Sequence, residues 1–264
     1  MSAATTAIRE PERRAVILGA SNVIRGISAV VATAQAASGS PLDLMFACGH
    51  GRSYGQTSCV LGRTLPGIVP CGLWDAWKQR PAVPTSALLT DVGNDLLYDV
   101  SVSQITDWVR TCCDRLRPVC ERLIITELPL VSLRTLQPRR FQLMRTILFP
   151  KSRLSLEQAL DRAEQLNANL VDLANQFEAS VLHPRSEWYG YDPIHIRAPH
   201  YQSAWSEILQ GWTDAEIEPP NPSGWLNWLR LRRLRPEKRK LFGVPQAHSQ
   251  PAACLANGTQ LSFY

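Results

Sequence analysis

The sequence predicts an α/β fold in which helices cover both faces of a parallel sheet, a three-layer α/β/α sandwich. From residue 15 onward, short apolar runs alternate with longer stretches of helical period, which is typical of repeated strand–helix units. Hydrophobic residues make up 45% of the 264 residues and charged residues only 19%, so the chain can bury a large core. These proportions exclude a compositionally disordered chain.

Five strands and several helices are predicted in order along the chain. The strands are expected at residues 15–19, 42–47, 86–90, 122–127 and 179–182. Helices are expected at 22–37, at 103–116, at 199 to about 212, and in two patterns between 128 and 177 that are split at Pro150. In doubly wound sheets, ligands bind beyond the carboxyl ends of the strands. We therefore expect the functional residues in the loops that follow the strands.

The positive charge is confined to one C-terminal stretch. The formal net charge is +5, and residues 230–240 hold seven basic groups and one acidic group. The remainder therefore has 28 − 7 = 21 basic against 23 − 1 = 22 acidic groups, a balance of −1, and no nucleic-acid partner is expected. The predicted organisation is an N-terminal arm (1–14), an α/β domain (15–218), and a Pro-containing linker with a basic Trp/Leu/Arg extension (219–264).

The extension allows two interpretations. Trp and Leu side chains interleave with arginines between Trp225 and Arg235, a pattern able to contact a membrane surface. Alternatively, the apolar side chains pack onto the sandwich while the arginines stay solvated. If the extension is separate from the domain, deletion of residues 222–264 should leave the chemistry of the domain intact.

A membrane-spanning segment and a metal site are not expected. No apolar run approaches the roughly 20 residues of a membrane-spanning helix, and the N-terminus lacks the apolar region of a secretory signal. A cytoplasmic location is therefore expected. The seven cysteines are odd in number and include no Cys-x-x-Cys pair, which predicts reduced thiols and no metal site.

Polar or glycine residues that could carry chemistry follow four of the predicted strands. In chain order they are Ser21, Gly51, Asn94, Asp192 and His195. Each also has a structural explanation, because Ser favours helix N-caps and Gly, Asn and Asp favour turns. The spacing of Asp192 and His195 lets the carboxylate hold one ring nitrogen while the other points at a neighbour.

With these residues in this order, the sequence resembles the SGNH family of serine hydrolases, also called GDSL hydrolases. The resemblance covers residues 15 to about 210. It implies a five-stranded, flavodoxin-like sheet of order 2-1-3-4-5. It also implies that Ser21 is the nucleophile, with its N–H in the oxyanion hole, that His195 is the base, and that Asp192 orients His195.

The resemblance implies two further oxyanion-hole groups and shows two departures. Gly51 and Asn94 match the glycine and asparagine of the family's oxyanion hole, and Gly49 is an alternative for the glycine. Ala20 stands where the family has Asp before the nucleophile. Val92 stands where the family has the first glycine of its Gly-x-Asn-Asp block.

The implied activity is hydrolysis of an acyl ester of a small molecule, carbohydrate or lipid, as an esterase, a lipase-like enzyme or a deacetylase, without a cofactor. A catalytically silent binding or scaffold module of the same fold is the alternative, and Ala20 and Val92 are its support. A nucleotide-binding protein is disfavoured, since the spacing of Gly19 and Gly26 fits neither nucleotide-binding glycine motif.

Four further residues could line the substrate cleft. They are His50, Arg52, Tyr98 and Trp188. His50 could instead bond locally within its loop, and Arg52 could bind an anionic group or be a surface charge. For the aromatic residues, packing is the structural alternative.

Overall fold

A seven-stranded sheet with helices on both faces organises the part of the chain that the computed structural model describes, residues 10–148, 152–221 and 224–264. The strands are β1 (Arg13–Leu18), β2 (Leu42–Ala47), β3 (Ser58–Val60), β4 (Arg63–Leu65), β5 (Thr85–Leu89), β6 (Cys120–Thr126), β7 (Ser180–Leu182), β8 (Lys238–Leu241), β9 (Val244–Ala247), β10 (Ala253–Cys254) and β11 (Gln260–Phe263). The α-helices are α1 (Ser21–Arg25), α2 (Ile27–Ser38), α3 (Leu73–Gln79), α4 (Asn94–Leu97), α5 (Val102–Leu116), α6 (Leu130–Arg134), α7 (Pro138–Leu148), α8 (Leu156–Gln176), α9 (Tyr201–Leu209) and α10 (Trp225–Arg232).

The large sheet has the order β10-β11-β2-β1-β5-β6-β7. The five predicted strands correspond to β1, β2, β5, β6 and β7, which lie side by side and pair in parallel. The prediction of five strands was wrong in number, because β11 pairs in parallel with β2 and β10 pairs antiparallel with β11. Strands β3, β4, β8 and β9 form a second, antiparallel sheet that was not predicted.

Alternation along the central strand divides the core into two layers. In β1, Ala15 and Ile17 pack in a cluster with residues of α2 and α9. Val16 and Leu18 point to the other face and pack with residues of α3, α5 and α8. Because successive side chains of a strand point to opposite faces, a strand covered by helices on both sides is apolar throughout.

The residues predicted as a separate extension belong to the same core. Strand β11 is in register with β2 from Gln260 opposite Asp43 to Phe263 opposite Phe46. The rings of Phe46 and Phe263 stack with centroids 4.7 Å apart, and Leu261 is fully buried. The boundary predicted at residues 218 and 219 therefore does not separate two structural units.

Helix α10 contains most of the Trp/Leu/Arg segment, and part of that segment packs inward. Leu231 is buried, and the indole N–H of Trp228 donates to the carbonyl oxygen of Arg25 at 2.9 Å. Trp225 and Leu226 are exposed. In the described part of the chain, no helix combines the length and apolar character that crossing a membrane requires.

The predicted helix at 22–37 is two helices, α1 and α2, which meet at Gly26. An ideal Cβ at Gly26 would lie 2.2 Å from the indole nitrogen of Trp205, so the close approach of α9 requires glycine there. The helical patterns of residues 128–177 form three helices, α6 to α8, and the split predicted at Pro150 lies outside the described residues. All seven cysteines are free thiols.

Candidate active site

Ser21 begins the first helix, immediately beyond the carboxyl end of β1. The N-cap of α1 is Ala20, which makes no side-chain capping bond, so Ser21 does not serve as the N-cap. Its Oγ lies 2.9 Å from Nε2 of His195, although the two residues are 174 positions apart. The Ser21 hydroxyl is therefore directed at an imidazole.

His195 and Asp192 lie on one loop between β7 and α9. Nδ1 of His195 is 2.6 Å from Oδ2 of Asp192, and Arg25 approaches the same oxygen at 3.5 Å. Burial raises the pKa of Asp192, but the hydrogen bond and charge of His195, with smaller help from Arg25, hold it below its ordinary value. The ionised carboxylate accepts a hydrogen bond from Nδ1–H, which leaves Nε2 as the acceptor that faces Ser21.

Asn22, which sequence analysis did not select, connects the Ser21 turn to the His195 loop. Its side-chain amide donates to the carbonyl oxygen of Ile194 at 2.9 Å. Its side-chain oxygen accepts the N–H of Ile196, also at 2.9 Å. The residue after Ser21 thus holds the main chain on both sides of His195.

Asp91, at the end of β5, holds the opposite side of the same turn. Its Oδ2 accepts the N–H groups of Ala20 and Asn22 at 3.0 Å each, and its Oδ1 accepts the Asn22 side-chain amide at 2.7 Å. Its φ of 57° lies in the left-handed region. At position 20, where the resembled family has Asp, this chain has Ala. Asp91 supplies a carboxylate to the backbone of that turn.

Gly51 lies on the loop that follows β2, and Asn94 is the first residue of α4. Gly51 has a φ of 62°, and its carbonyl oxygen accepts the hydroxyl of Tyr98 at 2.7 Å. Gly49 is not in the left-handed region. The side-chain amide of Asn94 donates to the carbonyl oxygen of Arg52 at 3.3 Å, and Asn94 lines the same pocket as Ser21.

Buried Asp95 fixes the segment that follows Gly51. Its carboxylate accepts the hydroxyl of Ser53 and, at 2.8 Å, the N–H of Tyr54. Burial raises the pKa of Asp95 to about 6, and these two hydrogen bonds oppose the rise. Because α4 contains both Asn94 and Asp95, the helix that places Asn94 in the pocket also holds the glycine loop.

The pocket beside Ser21 has mixed walls. Glu127 enters it from the end of β6, and its carboxylate contacts Nδ1 of His183 at 2.5 Å. Leu128 and Trp188 contribute apolar wall, and Trp188 is 2% exposed. Trp188 therefore lines the pocket, as predicted, and is also packed in the core. Within the described residues, no cluster of three or more His, Cys, Asp or Glu side chains is arranged to hold a metal ion.

Arg52 is neither the surface charge nor the substrate ligand that the sequence suggested. Its side chain is fully buried. The guanidinium donates to the carbonyl oxygens of Pro66 at 3.1 Å and Cys48 at 3.4 Å, and to the main-chain oxygen of Tyr264. Arg52 thus joins the glycine loop to the end of β11, and it is structural.

His50 and Tyr98 adjoin the glycine loop. Burial, with smaller contributions from the nearby charges of Arg232 and Arg63, lowers the pKa of His50 to about 4. His50 is therefore uncharged at neutral pH. Tyr98 uses its hydroxyl to hold Gly51, and it does not line the pocket that contains Ser21.

No family model and no curated protein matches the sequence. Among solved structures, the chain is similar to the psychrotrophic esterase EstA from Pseudoalteromonas sp., at 11% identity and a TM-score of 0.47, over 75% of this chain and 95% of that chain. It is similar to a member of the lipolytic protein G-D-S-L family from Veillonella parvula, at 10% identity and 0.49, over 77% and 100%. An Axe2 variant, an acetyl-xylooligosaccharide esterase from Geobacillus, gives 10% identity and 0.45, over 81% and 100%.

Proposed function

We propose that this protein is a serine hydrolase that cleaves acyl esters through Ser21, His195 and Asp192. One observation carries the proposal, the hydrogen-bonded row in which Ser21 Oγ is 2.9 Å from His195 Nε2 and His195 Nδ1 is 2.6 Å from Asp192. A hydroxyl becomes a nucleophile when an oriented base accepts its proton. In this row His195 is the base that faces the Ser21 hydroxyl, and Asp192 orients it, which supports the proposal.

The proposed reaction proceeds in two steps. In the first, Nε2 of His195 accepts the proton of Ser21 as Oγ attacks the ester carbonyl, and Asp192 stabilises the imidazolium. The imidazolium then protonates the departing alcohol, which leaves an acyl group on Ser21. In the second step, His195 accepts a proton from water as the water oxygen attacks the acyl carbonyl. The imidazolium then returns this proton to Ser21 Oγ as the bond between Oγ and the acyl carbon breaks and the acid leaves.

The N–H groups of Ser21 and Gly51 and the amide of Asn94 are the proposed oxyanion donors. Among the described residues, neither N–H donates to a protein acceptor. The bond from Asn94 to the carbonyl oxygen of Arg52 uses one amide hydrogen and leaves the other available. Removal of one oxyanion donor typically raises a barrier by about 3 kcal/mol.

The proposed substrates are acyl esters of small molecules, carbohydrates or lipids, and this chemistry needs no cofactor. Ala20 and Val92 were the support for the alternative of a catalytically silent module, and the surroundings of both residues weaken that support. The N–H of Ala20 receives a carboxylate from Asp91, and Val92 is 1% exposed and packs in the core. Neither substitution removes a group that the proposed reaction uses.

The proposal is tested with p-nitrophenyl acetate and a fluorophosphonate probe. The wild-type protein should release p-nitrophenol and become labelled, and Ser21→Ala should abolish labelling and reduce kcat by at least about 10³-fold. Ser103→Ala, which alters an exposed serine of α5, is the matched control and should match the wild type. Unchanged activity of Ser21→Ala, or a folded wild-type protein that is neither active nor labelled, would overturn the proposal.

A further inference from the structure

Two adjacent turns of the second sheet have an unusual composition. Val60 pairs with Arg63 across the first, so only Leu61 and Gly62 join β3 to β4. Phe242 and Gly243 likewise join β8 to β9. All four turn residues have positive φ, 50° and 76° in the first turn and 48° and 82° in the second.

The first residue of each turn is poorly suited to its conformation. Two-residue hairpins with positive φ at both positions favour Asn, Asp or Gly, because the left-handed region is energetically costly for a residue with a bulky side chain. Here the positions hold Leu61 and Phe242, whose exposed fractions are 84% and 79%. With most of their surface in water, the two side chains gain little packing energy that would offset this cost.

These side chains form one patch. Phe242 donates its N–H to the carbonyl oxygen of Gly62 at 2.7 Å, and its ring lies over Gly62, 2.4 Å from the ideal Cβ position. Val244, which is 62% exposed, pairs with Leu241 at the base of the second turn. We call Leu61, Phe242 and Val244 the turn patch.

Basic side chains lie on the strands that lead to and from the two turns. They are Arg63 of β4 and Lys238, Arg239 and Lys240 of β8. Among the described residues, the one ion pair of this group is the 3.7 Å contact between Lys238 and Glu237. Burial lowers the pKa of Arg239, as do the like charges of Arg63 and Arg235, so positive charge is concentrated here.

The hairpin that contains Leu61 packs against the loop of Gly51. Val60, directly before the first turn, lies against Gly51, with its Cγ2 2.5 Å from the ideal Cβ position of that glycine. Arg63 and His195 are both near enough to act on the charge of His50. A surface that rests on the turn patch would therefore lie close to the crevice of Ser21.

We propose that the turn patch and its basic surroundings dock this protein on a lipid bilayer that contains anionic phospholipid. Protruding apolar side chains enter the headgroup region, and the surrounding arginines and lysines attract the anionic headgroups. A nucleic-acid duplex would use the charges but would gain little from the aliphatic side chains of Leu61 and Val244. The proposal concerns binding and does not depend on ester hydrolysis.

Vesicle binding of the full chain tests the proposal. The wild type should sediment with phosphatidylcholine vesicles that contain about 30 mol% phosphatidylglycerol, and not with phosphatidylcholine alone. The double variant Leu61→Asn/Phe242→Asn should bind at least about tenfold more weakly. Its melting temperature should not fall, because Asn suits the left-handed positions. Leu143→Gln, a change of an exposed leucine in α7, should bind as the wild type does.

A second measurement does not depend on how the double variant folds. Tryptophan placed by Phe242→Trp should lose more fluorescence to brominated phosphatidylglycerol vesicles than the wild type loses. Absence of that additional quenching, absence of vesicle binding by the wild type, or equal binding by the double variant would overturn the proposal. Two further results would overturn it in the absence of vesicle binding. One is tight binding to a DNA duplex that the double substitution abolishes, and the other is self-association that the double substitution abolishes.

Discussion

At the scale of single residues, the arrangement of the site depends on Asn22 as much as on the groups that would react. Its side chain donates to Ile194 and accepts from Ile196, so it holds the main chain on both sides of His195. Its own N–H and amide are held by Asp91. We infer that Asn22 and Asp91 are positioning residues that keep Ser21 and His195 in register.

Asn22→Ala should lower kcat by about 10²-fold with a much smaller change in KM, because a small displacement of the base costs rate more than substrate binding. The rate of fluorophosphonate labelling should fall in parallel. Asn169→Ala is the matched control, since it removes an amide that donates to Thr106 at 3.0 Å away from the site. Equal kcat values for the two variants would contradict the role of Asn22.

The order of Ser21, Asn94 and His195 could be predicted because each follows a strand that the apolar pattern marks. Asn22 and Asp91 could not be predicted in the same way. Their hydrogen bonds join residues 69 and 172 positions apart, so no local spacing reveals them. Arg52 was misjudged for the same reason, because three main-chain oxygens solvate its charge inside the protein.

Asp95 should make the stability of the fold depend on pH. Its pKa is about 6 in the folded protein and near 3.8 when exposed, so the folded state binds the proton more tightly. Stability should therefore fall as the pH rises from about 4 to about 6, by up to about 3 kcal/mol. Asp95→Asn removes this titration. Chemical denaturation of both proteins across the window should show the wild type losing stability relative to the variant, and a constant difference would contradict the prediction.

At the scale of elements, the sequence predicts what is buried on both faces and misses what is half exposed. Of the five predicted strands, β1, β2 and β5 are buried almost throughout, and β6 is buried over its second half. Strands β3, β4, β8 and β9 have three or four residues each, with exposed side chains interspersed. Their turns also lack the Asn-Gly or Asp-Gly signal of a two-residue hairpin, because Leu61 and Phe242 occupy the first position.

The two helices at residues 21–38 show a second reason why sequence patterns fail to predict an element. Periodicity predicts a single helix there, and the pattern of apolar residues is correct. The break at Gly26 results from contact with Trp205, a residue of α9. A tertiary contact overrides local preference, and only the packed structure reveals it.

At the scale of the whole molecule, strands from distant parts of the sequence form one sheet, since β11 belongs to the same sheet as β1. Strand β11 occupies the position beside β2, and its pairing joins residues 217 positions apart, such as Gln260 and Asp43. The pairing of β11 with β2 could not be predicted, because the basic stretch and the prolines before it are typical of a linker and an extension. Arg52 extends the connection, since it binds the main-chain oxygen of Tyr264 from the loop of the candidate oxyanion glycine.

Phe263→Ala should therefore destabilise the whole protein. Phe263 is 4% exposed and stacks on Phe46 of the neighbouring strand, and truncation of such a phenylalanine costs about 3–5 kcal/mol. Phe242→Ala is the matched control, since an exposed ring outside the core should change the free energy of unfolding by no more than about 0.5 kcal/mol. Denaturant titration measures both variants.

The comparison of the two phenylalanines distinguishes the observed core from the separate extension that the sequence suggested. If residues 219–264 formed an independent unit, Phe263→Ala would leave the main unfolding transition of the α/β sheet unchanged. Because β11 is hydrogen-bonded to β2, and β2 to β1, the strand that precedes Ser21, the loss should instead appear in the single transition of the sheet. Hydrolysis of p-nitrophenyl acetate by Phe263→Ala should then be lost at the same denaturant concentration as the fold, well below that of the wild type.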